Sequence, residues 1–243
     1  MKEEPLLIHL AALRVFLVRS VLALLVTVGA AAFFAKPLFR LFSAPLERAL
    51  PKDAHFIATS PMEAWMVYFK ISLLTGVFAA APFIFWQLWK FLSPALYDKE
   101  KTIGIAFTLL SSICFIGGAV FAYYAVFPFC FAYFTSILEG TTIALMPRMD
   151  SYFTFAAQMV IAFGFIFELP LLVFFLAAWE IVSFASLRAF RKYFIVIAFV
   201  IAAILTPPDG ISQLVMAVPL LLLYEMGIGI AWLYKRSAKQ SDH

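Results

Sequence analysis

The sequence predicts an all-α integral membrane protein of six spanning helices, and three observations carry that reading. Of 243 residues, 65% are hydrophobic and 13% charged, whereas an ordinary soluble domain is about 45–50% apolar and ~25% charged. The charges cluster between apolar stretches that reach the ~20 residues a spanning helix needs. No polar–apolar alternation competes with helix, and in lipid only helices and closed barrels satisfy their own backbone groups. Fourteen acids and eighteen bases leave too little polar surface for a water-soluble globule. The whole chain, 1–243, reads as a single polytopic membrane domain.

The first span runs from about Phe16 to Ala35, with Arg14 and Arg19 at its inner edge as topology anchors and, in a second role, partners for an acid. The outer segment from Lys36 to Glu63 carries Pro37, Pro45, Pro51 and Pro61 and an amphipathic stretch around Leu38 to Leu50, the pattern of an ordered external cap. The second span, Ala64 to Trp89, contains Lys70, whose long stem lets its charge snorkel. The third, about 103–133, lies in an uncharged stretch of 37 residues from Thr102 to Leu138, long enough for one helix broken near Pro128 or for two minimal spans.

The basic residues decide between them. Six spans with both termini cytoplasmic place twelve Lys and Arg inside and five outside, while seven spans place seven inside and ten outside. The positive-inside rule prefers six. The fourth span, about 152–178, encloses Gln158 and Glu168. The fifth, 193–205, has thirteen residues and reaches only ~20 Å against a hydrocarbon core of ~30 Å. The sixth, about 213–234, carries Pro219 and Glu225 and starts from the turn Thr206-Pro207-Pro208-Asp209-Gly210. The fifth and sixth helices therefore read as a short pair, which either thins the bilayer or forms a discontinuous-helix binding site.

Several function classes fall away. The bases form no dense stripe with interleaved aromatics, so nucleic acid is excluded as a partner. Cys114 and Cys130 lie ~24 Å apart on a helix, beyond disulfide reach, and His9, His55 and His243 show no ligand spacing, so no metal or cofactor is expected. No cleavable secretory signal precedes the first span, so the N-terminus is expected to be retained. No nucleophile–base motif is present, so no enzyme is expected. What remains is polar residues in apolar places. Glu168, in Phe167-Glu168-Leu169-Pro170, is costly to insert and by default functional, and Gln158 lies close to the same face. Glu225 is an interfacial or paired acid. The inner loop from Phe91 to Lys101 sets carboxylates beside aromatic residues, which suits an arginine-bearing peptide because guanidinium pairs bidentately with carboxylate. A proton-coupled small-molecule secondary transporter using Glu168 is the alternative.

Taken in order, Ser43-Ala44-Pro45-Leu46, Pro94-Ala95-Leu96-Tyr97 with Glu100, Phe163-Gly164 with Phe167-Glu168-Leu169-Pro170, Arg191-Lys192-Tyr193, and Thr206-Pro207-Pro208-Asp209 with Ser212-Gln213 resemble the TatC family, the large subunit of the twin-arginine protein translocase. The resemblance implies a receptor in the bacterial cytoplasmic (inner) membrane that binds twin-arginine signal peptides of folded cargo. It implies TatA- and TatB-type single-span partners, a homo-oligomer within a larger complex, and proton-motive-force-driven export without nucleotide hydrolysis. It assigns Glu100 as the main contact for the arginine pair, with Phe91 nearby and Arg14 and Tyr97 in the same signal-peptide site. Glu168 and Gln158 become an intramembrane polar site, Thr206 and Gln213 partner-helix contacts, and Pro45 and Asp209 structural residues of the outer loops. One departure stands out: Ala12 occupies the place of an acid before the Leu13-Arg14 pair. Recognition would then lean more on Glu100, or on Glu3 and Glu4, with Lys99 and Lys101 beside Glu100 weakening or orienting its pairing.

Overall fold

The computed structural model describes residues 4–49, 55–92, 101–137, 141, 146–179, 181–206 and 210–241. Among them the chain is helical, and the one departure toward β structure is an isolated bridge between Ile57 and Arg148. The described helices are α1 (Glu4–Phe33), α2 (Ala35–Ala49), α3 (Pro61–Leu92), α4 (Lys101–Phe121), α5 (Phe127–Ser136), α6 (Met149–Phe167), α7 (Leu169–Ala178), α8 (Phe184–Leu205) and α9 (Gly210–Ser241). A π-helical turn, Ala122–Val126, joins α4 to α5.

Among the described residues, five stretches are long and apolar enough to cross a membrane: Leu10–Phe33, Pro61–Phe91, Gly104–Ser136, Met149–Ala178 and Gly210–Lys235. They correspond to the first, second, third, fourth and sixth expected spans. The outward side chains suit lipid: Phe33 is 89% and Ile204 77% exposed, which in water would forfeit most of the burial free energy of a large apolar side chain. The expected fifth span is the second half of α8, whose first half carries Arg188, Arg191 and Lys192.

The sequence reading needs one correction, and three boundaries gain detail. The fifth and sixth helices are not short: α8 has 22 residues and α9 has 32. Ser183 caps α8 upstream of the apolar run, its hydroxyl accepting the Ser186 N–H at 3.1 Å, and a cap rather than hydropathy sets that boundary. The long uncharged stretch is one helical rod broken near Pro128. Proline has no N–H to give the Tyr124 carbonyl, and the Phe127 N–H reaches back five residues to Ala122, the wider turn of a π-bulge. The first span ends at Phe33, where the Phe34 N–H bonds to the Ala31 carbonyl at 2.9 Å and α2 begins. The fourth span divides at Glu168 into α6 and α7.

The chain forms two compact units. The first comprises Met1–Ile116 and Gly140–Ala157. Here α1 packs on α3 across Gly76, where a Cβ would come within 2.8 Å of the Val28 backbone. The Thr27 hydroxyl donates to the Gly76 carbonyl at 2.8 Å through the gap this leaves; small residues and hydroxyls are the usual means of close helix approach in lipid. An aromatic cluster ties α2 to α3 and α6: Phe39 meets Tyr68 at 5.8 Å and Phe153 at 4.9 Å, and Phe56 meets Tyr152 at 5.3 Å. The Tyr152 hydroxyl donates to the Phe42 carbonyl at 2.6 Å. Where it is described, the segment expected as an external cap is α2 and the stretch after it, packed on α3 and α6.

The second unit comprises Gly117–Glu139 and Gln158–His243. Its core gathers Val173, Phe194, Ala198, Leu220, Leu223 and Tyr224 from α7, α8 and α9. Glycine again sets the approach. A Cβ on Gly227 would lie 2.9 Å from Val173 Cβ and 3.0 Å from Pro170 Cα, and one on Gly118 would lie 2.6 Å from the Phe163 carbonyl carbon.

Candidate functional site

In the first unit, α3 ends and α4 begins as a packed pair. Trp89 and Phe107 stand 5.3 Å apart, and Gly104 leaves room for the Trp89 indole, since a Cβ there would fall 2.8 Å from Trp89 Cε2. Two residues on, the half-buried Phe91 ring stacks on Phe16 of α1 at 5.9 Å with 24° between the planes. Arg14 is exposed two residues before Phe16, and Lys90 sits over the Trp86 ring at 5.1 Å. The structure therefore brings Phe91 onto the helix that carries Arg14, and the two α-helical ends flanking residues 93–100 are held together by aromatic packing. Tyr97, Glu100 and Asp209 lie outside the described residues.

At the other end of the same unit, Pro45 is buried within α2. Glu63, in the first turn of α3, organises the backbone. Its carboxylate accepts the Thr59 N–H at 2.6 Å, the Thr59 hydroxyl at 3.0 Å and the Asp150 N–H at 3.0 Å, with Arg148 Nε at 3.9 Å. Backbone bonds between Ile57 and Pro147 and between Met149 and Ile57, both 3.1 Å, close the same junction. Lys70 does more than snorkel: its ammonium pairs with Asp150 and donates to the Thr154 hydroxyl at 2.8 Å. Sequence reasoning missed Glu63 and Asp150 as partners. A lone lysine inside an apolar span was the available signal, because intramembrane charges demand a counter-charge.

In the second unit, Glu168 occupies the break between α6 and α7, half-buried, with φ −75° and ψ −15°. Its N–H reaches only three residues back, to Phe165, at 3.1 Å, and its carbonyl starts α7 by accepting the Leu172 N–H at 2.9 Å. Pro170 explains the break, because it offers no N–H to the Ile166 carbonyl. Gln158 is exposed on α6, ten residues or ~15 Å of helix before Glu168, so the two are not in one contact shell.

Thr206 and Gln213 both hydrogen-bond to carbonyls of α8. Thr206 is buried and donates through its N–H and hydroxyl to the Ala202 carbonyl, each at 2.9 Å. The Gln213 amide reaches from α9 to the Phe199 carbonyl at 3.0 Å. Thr206, the C-cap, closes the last turn, whereas the Phe199 carbonyl lies one turn inside the helix, so the Gln213 amide adds a bond that ties α9 to α8. At the other end of the pair, Arg191 and Glu225 meet at 2.5 Å, the Tyr224 hydroxyl donates to the Leu187 carbonyl at 2.8 Å, and the Tyr224 ring stacks on Phe194 at 4.1 Å. Glu225 is thus the paired acid among its two expected roles.

Comparison with known proteins gives one consistent answer. Residues 8–219 match the family described as TatC: Sec-independent protein translocase protein (TatC). The chain is 43% identical over 227 residues to the Sec-independent protein translocase protein TatC of Desulforapulum autotrophicum, covering 93% of this chain and 84% of that one. It is 39% identical over 241 residues to the TatC of Aquifex aeolicus, covering 97% and 98% respectively. Two crystal structures of the twin arginine translocase receptor TatC are similar in fold. One has a TM-score of 0.81 at 40% identity, covering 93% of this chain and 98% of that one; the other, in DDM, has 0.84 at 39% identity, covering 92% and 99%.

Proposed function

Because this chain belongs to the TatC family of Sec-independent protein translocase proteins, a family of non-enzymatic membrane proteins, we propose that it is the receptor and core subunit of a twin-arginine translocase. Glu100 receives the arginine pair of a signal peptide, Phe91, Tyr97 and Arg14 frame the same site, and TatA- and TatB-type single-span proteins dock as partners. Export of folded cargo is driven by the proton-motive force. The chain crosses the bacterial inner membrane six times with both termini cytoplasmic, the charged half of α8 lying at the inner face, and works as a homo-oligomer within a larger complex. The secondary-transporter alternative draws no support from the relatives.

The observation that supports the reading is the Phe91–Phe16 stack on the helix carrying Arg14, an apolar platform at the start of the segment that holds Tyr97 and Glu100. An arginine-bearing peptide needs a carboxylate for charge and an apolar shelf for its stem. Glu168 contributes a polar point at the α6–α7 break for an entering peptide or partner helix, with Gln158 extending it. Thr206 and Gln213 offer the α8–α9 junction to a partner helix, and Pro45 and Asp209 hold the outer loops.

The test is binding of a fluorescent twin-arginine peptide to the purified chain. Glu100→Gln should weaken it by about ten- to a hundred-fold, the worth of a charge-assisted hydrogen bond of ~1.5–3 kcal/mol. An unchanged affinity would remove Glu100 from the site.

A further inference from the structure

The second unit holds a cavity of about 480 Å³ that none of the assignments above uses. It lies where two membrane-compatible stretches stop: Ala178 ends one, Lys235 ends the other, and both line it. The first turn of α8 closes a further side with Ser183 and Phe184. Its size falls in the ~300–1,000 Å³ range of ordinary small-molecule sites.

The lining is two-natured. Alanines 177, 178 and 231, with Val182 and Phe184, make apolar walls, and Lys235 supplies an exposed cation. The Arg188 guanidinium stands 5.8 Å over the ring of Phe184, a lining residue, and so places a second cation next to the cavity wall. In the sequence the stretches 179–192 and 234–241, from which several lining residues come, carry six bases and one acid, with Arg191 among the bases already paired to Glu225. Tyr234 meets Phe174 edge-on at 5.3 Å and Trp179 meets Phe175 at 4.9 Å, and tyrosine and tryptophan at the ends of spans mark the level of lipid head groups. The first N–H groups of α8 also lack intrahelical acceptors and add positive potential.

We propose that this cavity binds the head group of an anionic phospholipid, with Lys235 and Arg188 as its cations and the alanine and phenylalanine walls against its glycerol. A zwitterionic lipid has no net charge to match Lys235 and Arg188. A free phosphate gains nothing from apolar walls or from a site at the boundary of two spans. Basic pockets between helices at the edge of the bilayer recognise lipid head groups in this way.

Native mass spectrometry of the full chain in neutral detergent, titrated with phosphatidylglycerol or phosphatidylcholine, reads this out. The unmodified chain should retain phosphatidylglycerol in preference to phosphatidylcholine. Lys235→Gln should lower phosphatidylglycerol occupancy by about five-fold, Lys235→Arg should keep it, and Ala178→Phe, which fills the cavity without altering charge, should lower it. Lys36→Gln, in the first unit, should leave it unchanged. Three results would each overturn the proposal: no preference for the anionic lipid on the unmodified chain, equal loss with Lys36→Gln, or displacement of the lipid by inorganic phosphate alone. The first needs no variant, so a folding failure in any of them cannot shelter the idea, and none depends on signal-peptide recognition.

Discussion

Adjacent glycines on α4 make a controlled experiment in helix packing. A Cβ added to Gly118 would sit 2.6 Å from the Phe163 carbonyl carbon and 2.9 Å from Gly164 Cα, both backbone, whereas one on Gly117 meets nothing nearer than Phe167 Cδ1 at 4.0 Å. Backbone cannot rotate away, so Gly118→Ala must part α4 from α6 by roughly 1 Å, an overpacking that costs ~1–3 kcal/mol. Both alanines gain the same helix propensity, ~1 kcal/mol over glycine in a helix interior, so the difference between the two variants isolates the clash. At ~2–4 °C per kcal/mol for a chain of this size, Gly118→Ala should melt several degrees below Gly117→Ala. The assay is intrinsic tryptophan fluorescence during a thermal ramp in one detergent. Equal midpoints would refute the claim that this close approach is fixed by the missing side chain.

Three further outcomes follow from the geometry. Glu63→Ala strips the acceptor from the Thr59 and Asp150 N–H groups, at ~1–3 kcal/mol for the groups left unmet, and hydrogen exchange at those two amides should accelerate; unchanged exchange would mean the carboxylate holds nothing. Tyr224→Phe keeps the stack on Phe194 but loses the bond to the Leu187 carbonyl, so the melting midpoint should fall by ~0.5–1.5 kcal/mol equivalent, well short of Tyr224→Ala, and identical losses would deny the ring its share. Glu168→Ala should fold yet impair export of a twin-arginine reporter, and normal export would leave Glu168 as a helix-terminus residue and no more.

The helices were legible because apolar runs of spanning length leave few other options, and their edges were not where something besides hydropathy drew them. Ser183 starts α8 far upstream of Tyr193, where the uncharged run begins, and a proline at 128 gave the place of a break without revealing the π turn that absorbs it. Of the candidate site, Phe91 and Arg14 were legible as an aromatic and a base at span edges, but their meeting through Phe16 needed the fold. The pairings of Lys70 and Glu63 with Asp150 join residues 80 and 87 positions apart. A sequence can announce that a buried charge needs a counterpart, but which acid answers is settled by packing. Thr206 and Gln213 show the converse, since the resemblance marks them as contact residues and their own hydrogen bonds go to carbonyls of α8.

The turn at Ala122–Val126 also changes how this rod must be probed. Gly118, Ala122 and Val126 are buried at steps of four, and then Phe127, Cys130 and Phe131 are buried in turn. One helical wheel cannot carry both sets, because the surplus residue retards the phase by about 100°. A cysteine-labelling or spin-label scan walked through this segment would show its accessibility wave skip a beat at the turn. Removing a single residue there should bring the two halves back into step.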